Sequence, residues 1–189
     1  DRIGERMRAE MVFVDCNGDA DAFVETVKKV AGKSKTLVLS CKNADAIKKA
    51  LDVCKDEKPI INSADASNYA EMVEIAKAAG VVLGVSGADI NELYDTTAAI
   101  EKLGFKDLVL DTTGATVKET FATTVQVRRA CLAKDPDRTF GYPSIVNLSK
   151  VAPDDEAMQI ALASVFILKY GSIIVMDTMN YARGLALFG

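Results

Sequence analysis

The sequence predicts an α/β protein, specifically a (β/α)8 or TIM barrel that stops after its seventh strand. Seven short runs rich in Val, Ile and Leu alternate little with polar residues, as parallel strands covered on both faces do. Amphipathic helical segments separate these runs, and a strand–helix–strand repeat of this kind builds a parallel sheet. The alternative is an open doubly wound sheet, but no GxGxxG or GxxxxGK[ST] motif is present to favour it. Complete barrels typically have ~250 residues, so a chain of 189 fits a barrel without its eighth unit.

The predicted strands are 10–15, 36–40, 58–62, 81–85, 107–110, 143–148 and 172–176. Residues suited to cap the start of a helix are Asn43, Ser67 and Asp154. Glycines suited to end one are Gly32, Gly80, Gly104 and Gly171. The longest apolar run, IALASVFILKY at 160–170, predicts a helix packed on both sides. We expect residues 1–189 to form a single barrel domain.

Composition excludes several classes of protein. Hydrophobic residues make up 49% of the chain and charged residues 26%, which is typical of a globular domain with a sizeable core. The net charge of −4 argues against a nucleic-acid partner, since binding phosphates needs clustered Lys and Arg. No run of about 18 apolar residues is present, so we predict no membrane-spanning helix, and a cytoplasmic location. The chain begins with Asp and stops in a helical pattern, and we therefore expect it to be a segment of a longer protein.

The reactive residues present are few. The chain has no histidine, which removes the commonest general base, the usual zinc ligand and every Ser-His or Cys-His pair. The four cysteines, Cys16, Cys41, Cys54 and Cys131, show no CxxC and no spacing typical of a metal site. We interpret them as free thiols in a reducing compartment, two after strands and two in helices.

Every predicted strand ends in small polar or acidic side chains. These residues are Asp15, Ser40, Asn62, Ser63, Ser86, Asp111, Thr112, Asn147, Ser149 and Asp177. The carboxyl ends of parallel strands share one face, which carries the ligand site in α/β folds. Each residue alone could equally serve a turn or a helix cap. Together they predict a polar barrel mouth.

The predicted mouth offers limited chemistry. Asp15, Asp111 and Asp177 could act as acid or base, or could hold a polar ring. The DTTG motif at 111–114 is similar to an aspartyl-phosphate motif, but that motif normally follows the first strand of its sheet and this one follows the fifth. The GVSG stretch at 84–87 could place backbone amides near an anion, although a plain tight turn explains it as well. No catalytic or metal-binding residue is therefore predicted.

Several separated segments resemble one family in the same order. They are DRTFGYPSIV (137–146), QVRRACL (126–132), KPIINSADASNYAEMVEIAK (58–77), IEKLGFKDLVLD (100–111) and KYGSIIVMD (169–177). Together they resemble the central barrel of the large, or gamma, subunit of the corrinoid iron-sulfur protein. That protein belongs to the acetyl-CoA synthase/decarbonylase system of anaerobes. The resemblance runs nearly from end to end, although none of these segments is a catalytic signature.

The resemblance implies a methyl carrier of the reductive acetyl-CoA pathway. The whole protein would place a [4Fe–4S] domain before this barrel and a corrinoid-binding (cobalamin) domain after it. Its partners would be a small barrel subunit forming a heterodimer, a methyl-pterin methyltransferase that supplies the methyl group, and acetyl-CoA synthase/CO dehydrogenase that receives it. The segment itself would serve as scaffold and docking barrel, without a catalytic residue and without a cofactor of its own.

The alternative implied by the resemblance is an enzyme, a pterin-binding methyltransferase barrel. In such barrels strand-end Asn and Asp side chains hold the pterin, and Asn62, Asp111 and Asn147 stand at matching places. Amide and carboxylate groups suit the donor and acceptor edge of a pterin ring. We expect these three residues to line the mouth as a vestige of such a site.

Overall fold

The computed structural model describes residues 9–33 and 35–188. The strands are β1 (Met11–Asp15), β2 (Thr36–Ser40), β3 (Ile60–Ala64), β4 (Val82–Ser86), β5 (Leu108–Asp111), β6 (Ser144–Asn147) and β7 (Ile173–Val175). The helices are α1 (Ala20–Val30), α2 (Ala44–Cys54), α3 (Tyr69–Ala79), α4 (Ile90–Lys102), α5 (Val117–Cys131), α6 (Leu148–Val151), α7 (Glu156–Lys169) and α8 (Tyr181–Phe188). Two 3-10 turns, Lys55–Glu57 and Arg138–Phe140, complete the elements.

The sheet confirms the predicted barrel order. All seven strands are parallel, and each pairs with its neighbours in sequence, in the order β1 to β7. A doubly wound sheet would instead reverse its strand order at a switch point. Within the described residues β1 and β7 each pair with one strand only, so the ring is not closed by hydrogen bonds.

The sheet curls until its first and last strands face one cavity. That cavity is lined by Val12 and Phe13 of β1 and by Ile173 and Val175 of β7. In a flat sheet, six strand spacings of about 4.8 Å would hold β1 and β7 roughly 29 Å apart. Every strand also gives a side chain to one interior apolar cluster, formed by Phe13, Val38, Ile60, Val82, Val109, Ile145, Ile173 and Val175. The sheet is therefore a nearly closed barrel.

The helices cover the outside of this barrel. The outward side chains of the strands, such as Leu39, Ile61 and Leu83, pack with Phe23 of α1 and Met72 of α3 in the largest core cluster. Strands buried on both faces explain why the strand sequences show little polar alternation. A smaller cluster joins β6 and β7 to α7, with Val146 on β6, Ile174 on β7 and Phe166 on α7.

Helix starts agree with the sequence at one of the three predicted caps. Asn43 caps α2, and its side chain accepts hydrogen bonds from the amides of the first turn. Ser67 does not cap α3, because its amide and hydroxyl both donate to Asp65 and Asn68 takes the cap position. Asp154 has a left-handed backbone with φ of 57°. It therefore lies outside α7, which Asp155 caps instead.

The predicted burial of both faces of α7 is wrong within this chain. The face that includes Gln159, Ala163 and Phe166 is buried against the barrel, but Val165 and Leu168 on the opposite side are 43% and 80% exposed. No helix in the described ranges is long and apolar enough to span a membrane. Cys16 and Cys41 follow β1 and β2 while Cys54 and Cys131 end α2 and α5, and all four are free thiols.

Candidate functional site at the barrel mouth

The predicted polar side chains converge at the carboxyl end of the barrel. A cavity of about 1080 Å³ opens there. Its lining includes Asp15, Ser40, Asn62, Ser63, Ser86, Asp111, Asn147, Ser149 and Asp177. The exception is Thr112, which is 2% exposed and donates its hydroxyl proton to the carbonyl oxygen of Ile145. Thr113 lines the cavity in its place.

Asn62 and Asp111 form a hydrogen-bonded pair across the mouth. The Asn62 Nδ2 group donates to Asp111 Oδ2 at 2.8 Å, although the two residues lie on β3 and β5 with β4 between them. The pairing register of β3 with β4 shifts between Asn62 and Ala64. A shift of this kind is typical of a β-bulge, which bends a strand and redirects its side chains.

Gly84 on β4 makes room for this pair. It lies opposite Asn62 in the strand register. A Cβ atom at Gly84 would meet Asn62 Oδ1 at 2.2 Å and Asn62 Cα at 2.9 Å, both closer than side chains tolerate. The glycine is therefore required by the close approach of the Asn62 side chain and backbone over β4.

Thr113 links the Asn62–Asp111 pair to Asn147. Its backbone amide donates to Asp111 Oδ1 at 3.0 Å, and its hydroxyl accepts from the backbone amide of Asn147 at 2.8 Å. The Asn147 side chain caps α6 by accepting from the Lys150 amide at 3.2 Å. All three predicted candidates therefore belong to one chain of hydrogen bonds. Thr113 was missed because two adjacent threonines give no sign of which one faces inward, although an Asx-turn at Asp111 would favour it.

Gln159 is a second residue that the sequence prediction missed. It lies on α7, is fully buried, and forms two hydrogen bonds with Asp177, which lines the barrel mouth. Its Nε2 group donates to Asp177 Oδ2 at 2.6 Å, and its Oε1 atom accepts from the Asp177 amide at 3.2 Å. The hydrogen bond from Gln159 lowers the pKa of Asp177 below its ordinary value, with a further contribution from Ser149. A lone glutamine in an apolar helix pattern gives no hint of such a partner.

The rim above β2 and β3 carries a charge pair. Lys42 Nζ lies 2.6 Å from Asp65 Oδ2, and Asp65 Oδ1 also accepts from the Ser67 amide. Burial raises the pKa of Asp65, but the hydrogen bonds from Lys42 and Ser67 outweigh it and hold that pKa below the usual value. Asp65 therefore stays ionised at neutral pH and fixes the loop that begins α3.

The mouth presents more acids than bases. Its lining includes the acids Asp15, Asp65, Glu92, Asp111 and Asp177, and the cations Lys42 and Lys150. The described residues hold no group of three or more Cys, Asp or Glu placed to bind a metal ion. The amide and carboxylate groups can instead hold a planar polar ligand through paired hydrogen bonds.

Sequence comparison assigns the family. A family model described as "CO dehydrogenase/acetyl-CoA synthase delta subunit" matches residues 1–187. The chain belongs to this family. It is 33% identical to the corrinoid/iron-sulfur protein large subunit of Moorella thermoacetica, over 94% of this chain and 40% of that protein. It is 28% identical to the acetyl-CoA decarbonylase/synthase complex subunit gamma of Archaeoglobus fulgidus, with the same two coverages. The chain thus spans about two fifths of the length of these relatives.

Solved structures show the same fold in pterin enzymes. The 7,8-dihydropteroate synthase of Vibrio fischeri superposes with a TM-score of 0.67 and 14% identity, covering 95% of this chain and 79% of that one. The dihydropteroate synthase of Thermus thermophilus in complex with 4-aminobenzoate also gives a TM-score of 0.67, with 15% identity over 96% of this chain and 84% of that one. At these identities the likeness confirms the barrel fold of this family member and says nothing of its ligand.

Substituting Gly84→Ala should destabilise the protein by about 1–3 kcal/mol, because the new methyl group meets the Asn62 backbone and overpacks the site. Urea denaturation measures the loss of unfolding free energy, provided that the dependence of this free energy on urea concentration is the same in both proteins. The matched control is Asn62→Ala, which removes the Asn62–Asp111 hydrogen bond but leaves the Asn62 backbone next to Gly84. A Gly84→Ala variant as stable as the unmodified protein would show that β3 and β4 can move apart at this point without loss of stability.

Proposed function

We propose that this chain is the barrel segment of a methyl-carrying corrinoid iron-sulfur protein in the cytoplasm of an anaerobe. The whole protein would carry a methyl group from a methyl-pterin methyltransferase to acetyl-CoA synthase in the reductive acetyl-CoA pathway. The segment would act as scaffold and docking barrel, without catalytic residues of its own. The family membership and the names of the relatives, a corrinoid/iron-sulfur large subunit and a decarbonylase/synthase gamma subunit, support this role.

A [4Fe–4S] cluster does not fit the described residues. A [4Fe–4S] cluster needs four converging thiolates, whereas Cys54 lies at the end of α2 and Cys131 at the end of α5. As the family resemblance implies, the proposal has a [4Fe–4S] domain before this barrel and a corrinoid domain after it. The relatives are long enough for both, since the matched part is 40% of their length.

The outer face of α7 is the structural observation that carries the docking role. This face, defined by Met158, Ala161, Val165 and Leu168, is exposed and has an apolar residue every three or four positions. No charged residue stands between Glu156 and Lys169 at the two ends of the helix. By contrast, the exposed side of α2 carries Lys48, Lys49 and Asp52. An exposed apolar stripe of this kind is typical of a protein contact.

We assign this face to another subunit of the complex, in the first place the small barrel subunit of the heterodimer. Helix-to-helix contact suits two barrels, because helices form the outside of each. Acetyl-CoA synthase/CO dehydrogenase and the methyltransferase would contact the protein transiently, elsewhere on its surface. Interface cores are depleted in charge, which matches the composition of the outer α7 face.

The variant Leu168→Glu should weaken binding to the small subunit at least tenfold, because it places an unpaired carboxylate in an apolar contact. Leu168 is 80% exposed, so the free protein should keep its unfolding midpoint. Affinity is measured by sedimentation or by surface-immobilised titration of the two purified subunits.

The control for this test is Val53→Glu, a comparable change at a 41% exposed position on α2. It should leave the affinity unchanged. Equal affinity of the Leu168→Glu and unmodified proteins would remove the outer α7 face from the interface. Equal losses in both variants would indicate a general effect of added charge.

The native protein purified under anaerobic conditions should show corrinoid and iron-sulfur absorption bands together. Its intact mass should exceed clearly the 20.3 kDa of this chain. Visible absorption and mass spectrometry make the two measurements. Colourless protein with a mass near that value would overturn the proposed arrangement of domains.

A second candidate function is pterin binding at the mouth, favoured by the hydrogen-bonded chain through Asn62, Asp111, Thr113 and Asn147. These groups already use several of their hydrogen-bonding atoms to bind one another and to cap the start of α6. We therefore propose that they line the mouth as a vestige, and that the enzyme reading is the less favoured one.

Calorimetric titration of the chain with methyltetrahydrofolate or methyltetrahydromethanopterin should show no binding. The matched variant is Asn62→Ala, which removes the amide that would meet the ring and should change nothing. Micromolar binding that disappears in Asn62→Ala would reverse the ranking and make the mouth a working pterin site.

A further inference from the structure

We propose that Cys16 and Cys41 form an oxidisable dithiol pair whose disulfide ties β1 to β2 at the barrel mouth. The proposal is independent of the proposed methyl-carrier role, since neither thiol belongs to the hydrogen-bonded chain through Asn62, Asp111, Thr113 and Asn147, although Cys41 lines the same cavity. The disulfide would form by exchange with a small external disulfide.

The strand register places the two cysteines side by side. Asp15 of β1 pairs with Ser40 of β2, and each cysteine is the next residue along its chain. The Cys16 amide donates to the Ser40 carbonyl oxygen at 2.9 Å, so the parallel alignment continues past the strand ends. Adjacent strands lie about 4.8 Å apart, within the ~4.4–6.8 Å range of Cα separations that disulfides span.

Both side chains point to the same side of the sheet. Cys41 belongs to the core cluster between barrel and helices, and Cys16 packs against that cluster. The remaining cysteines are remote from this pair in the fold, with Cys54 at the end of α2 and Cys131 at the end of α5. The geometry therefore favours one pairing.

The two thiols differ in accessibility, which sets the order of reaction. Cys41 is 4% exposed, whereas Cys16 is half-buried. Burial, together with a hydrogen bond to the Cys16 thiol, raises the pKa of Cys41 to about 11. Cys41 therefore stays protonated at neutral pH, and Cys16 is the thiol that meets a reagent from solvent.

The reaction balances as two exchange steps. The Cys16 thiolate attacks one sulfur of glutathione disulfide, which breaks its S–S bond and releases one glutathione thiolate. Cys41 then loses its proton and attacks the Cys16 sulfur, which releases the second glutathione. Two protein thiols are oxidised to one disulfide, and one glutathione disulfide is reduced to two glutathione molecules.

The bond would act on the mouth because of where it lies. Within the described residues β1 pairs only with β2, so it is an edge strand. Cys41 lines the cavity, and its backbone amide donates a 2.9 Å hydrogen bond to Ser63 Oγ. The Ser40–Asp15 hydrogen bond lies one residue away. Oxidation would therefore anchor the edge strand and stiffen this side of the rim.

The test equilibrates the purified protein anaerobically with glutathione disulfide, then unfolds it, alkylates the remaining thiols and maps the peptides. We expect the Cys16 and Cys41 peptides to be joined, with Cys54 and Cys131 alkylated. The joined form should unfold several degrees higher, because the bond closes a loop of about 25 residues in the unfolded chain, and reduction should reverse the shift.

Two variants sharpen the test. Cys16→Ser should leave Cys41 free for alkylation after unfolding and abolish the thermal shift. Cys131→Ser, which changes another half-buried cysteine, should keep both effects. Cys16 found only as its glutathione adduct, or Cys41 alkylated in full after the treatment, would overturn the proposal.

Discussion

The parallel pairing of consecutive strands is the constraint on which the rest of this structure depends. Because β1 to β7 pair in sequence order and run in one direction, their carboxyl ends share a single rim. Residues as distant in sequence as Asn62, Asp111 and Asn147 are thereby connected through hydrogen bonds. The interior apolar cluster drives the curvature that brings the last strand round toward the first. The same pairing sets Cys16 next to Cys41.

The sequence was sufficient for the strands and for the rim. Strands that are covered on both faces consist almost entirely of apolar residues. The seven Val/Ile/Leu-rich runs could therefore be identified as strands from composition alone. The largest error in position was at β3, which begins two residues later than predicted. There Lys58 adopts a left-handed backbone with φ of 53° after a 3-10 turn, and the strand starts only beyond Pro59. Such local turns depend on backbone geometry that residue types do not specify.

The details of the site depended on orientation, which the sequence does not encode directly. Thr112 and Thr113 have the same chemistry, and only the alternation of side chains that continues past the end of β5 decides that the first is buried while the second faces the cavity. Gln159 comes from a helix, eighteen residues before the Asp177 that it holds. The apolar pattern of α7 indicated two covered faces, but the described residues cover only the inner one and leave Val165 and Leu168 exposed.

The unpaired sides of β1 and β7 bear on how this chain behaves by itself. Among residues 9–33 and 35–188, each of these strands has one row of amide and carbonyl groups without a neighbouring strand. Unpaired strand edges of this kind can form backbone hydrogen bonds with an extended segment of another molecule, including a second copy of the same chain. The short length of β7, three residues, limits that recruitment more than the five residues of β1 do. Handling the chain at high concentration thus favours intermolecular sheet growth from the β1 side.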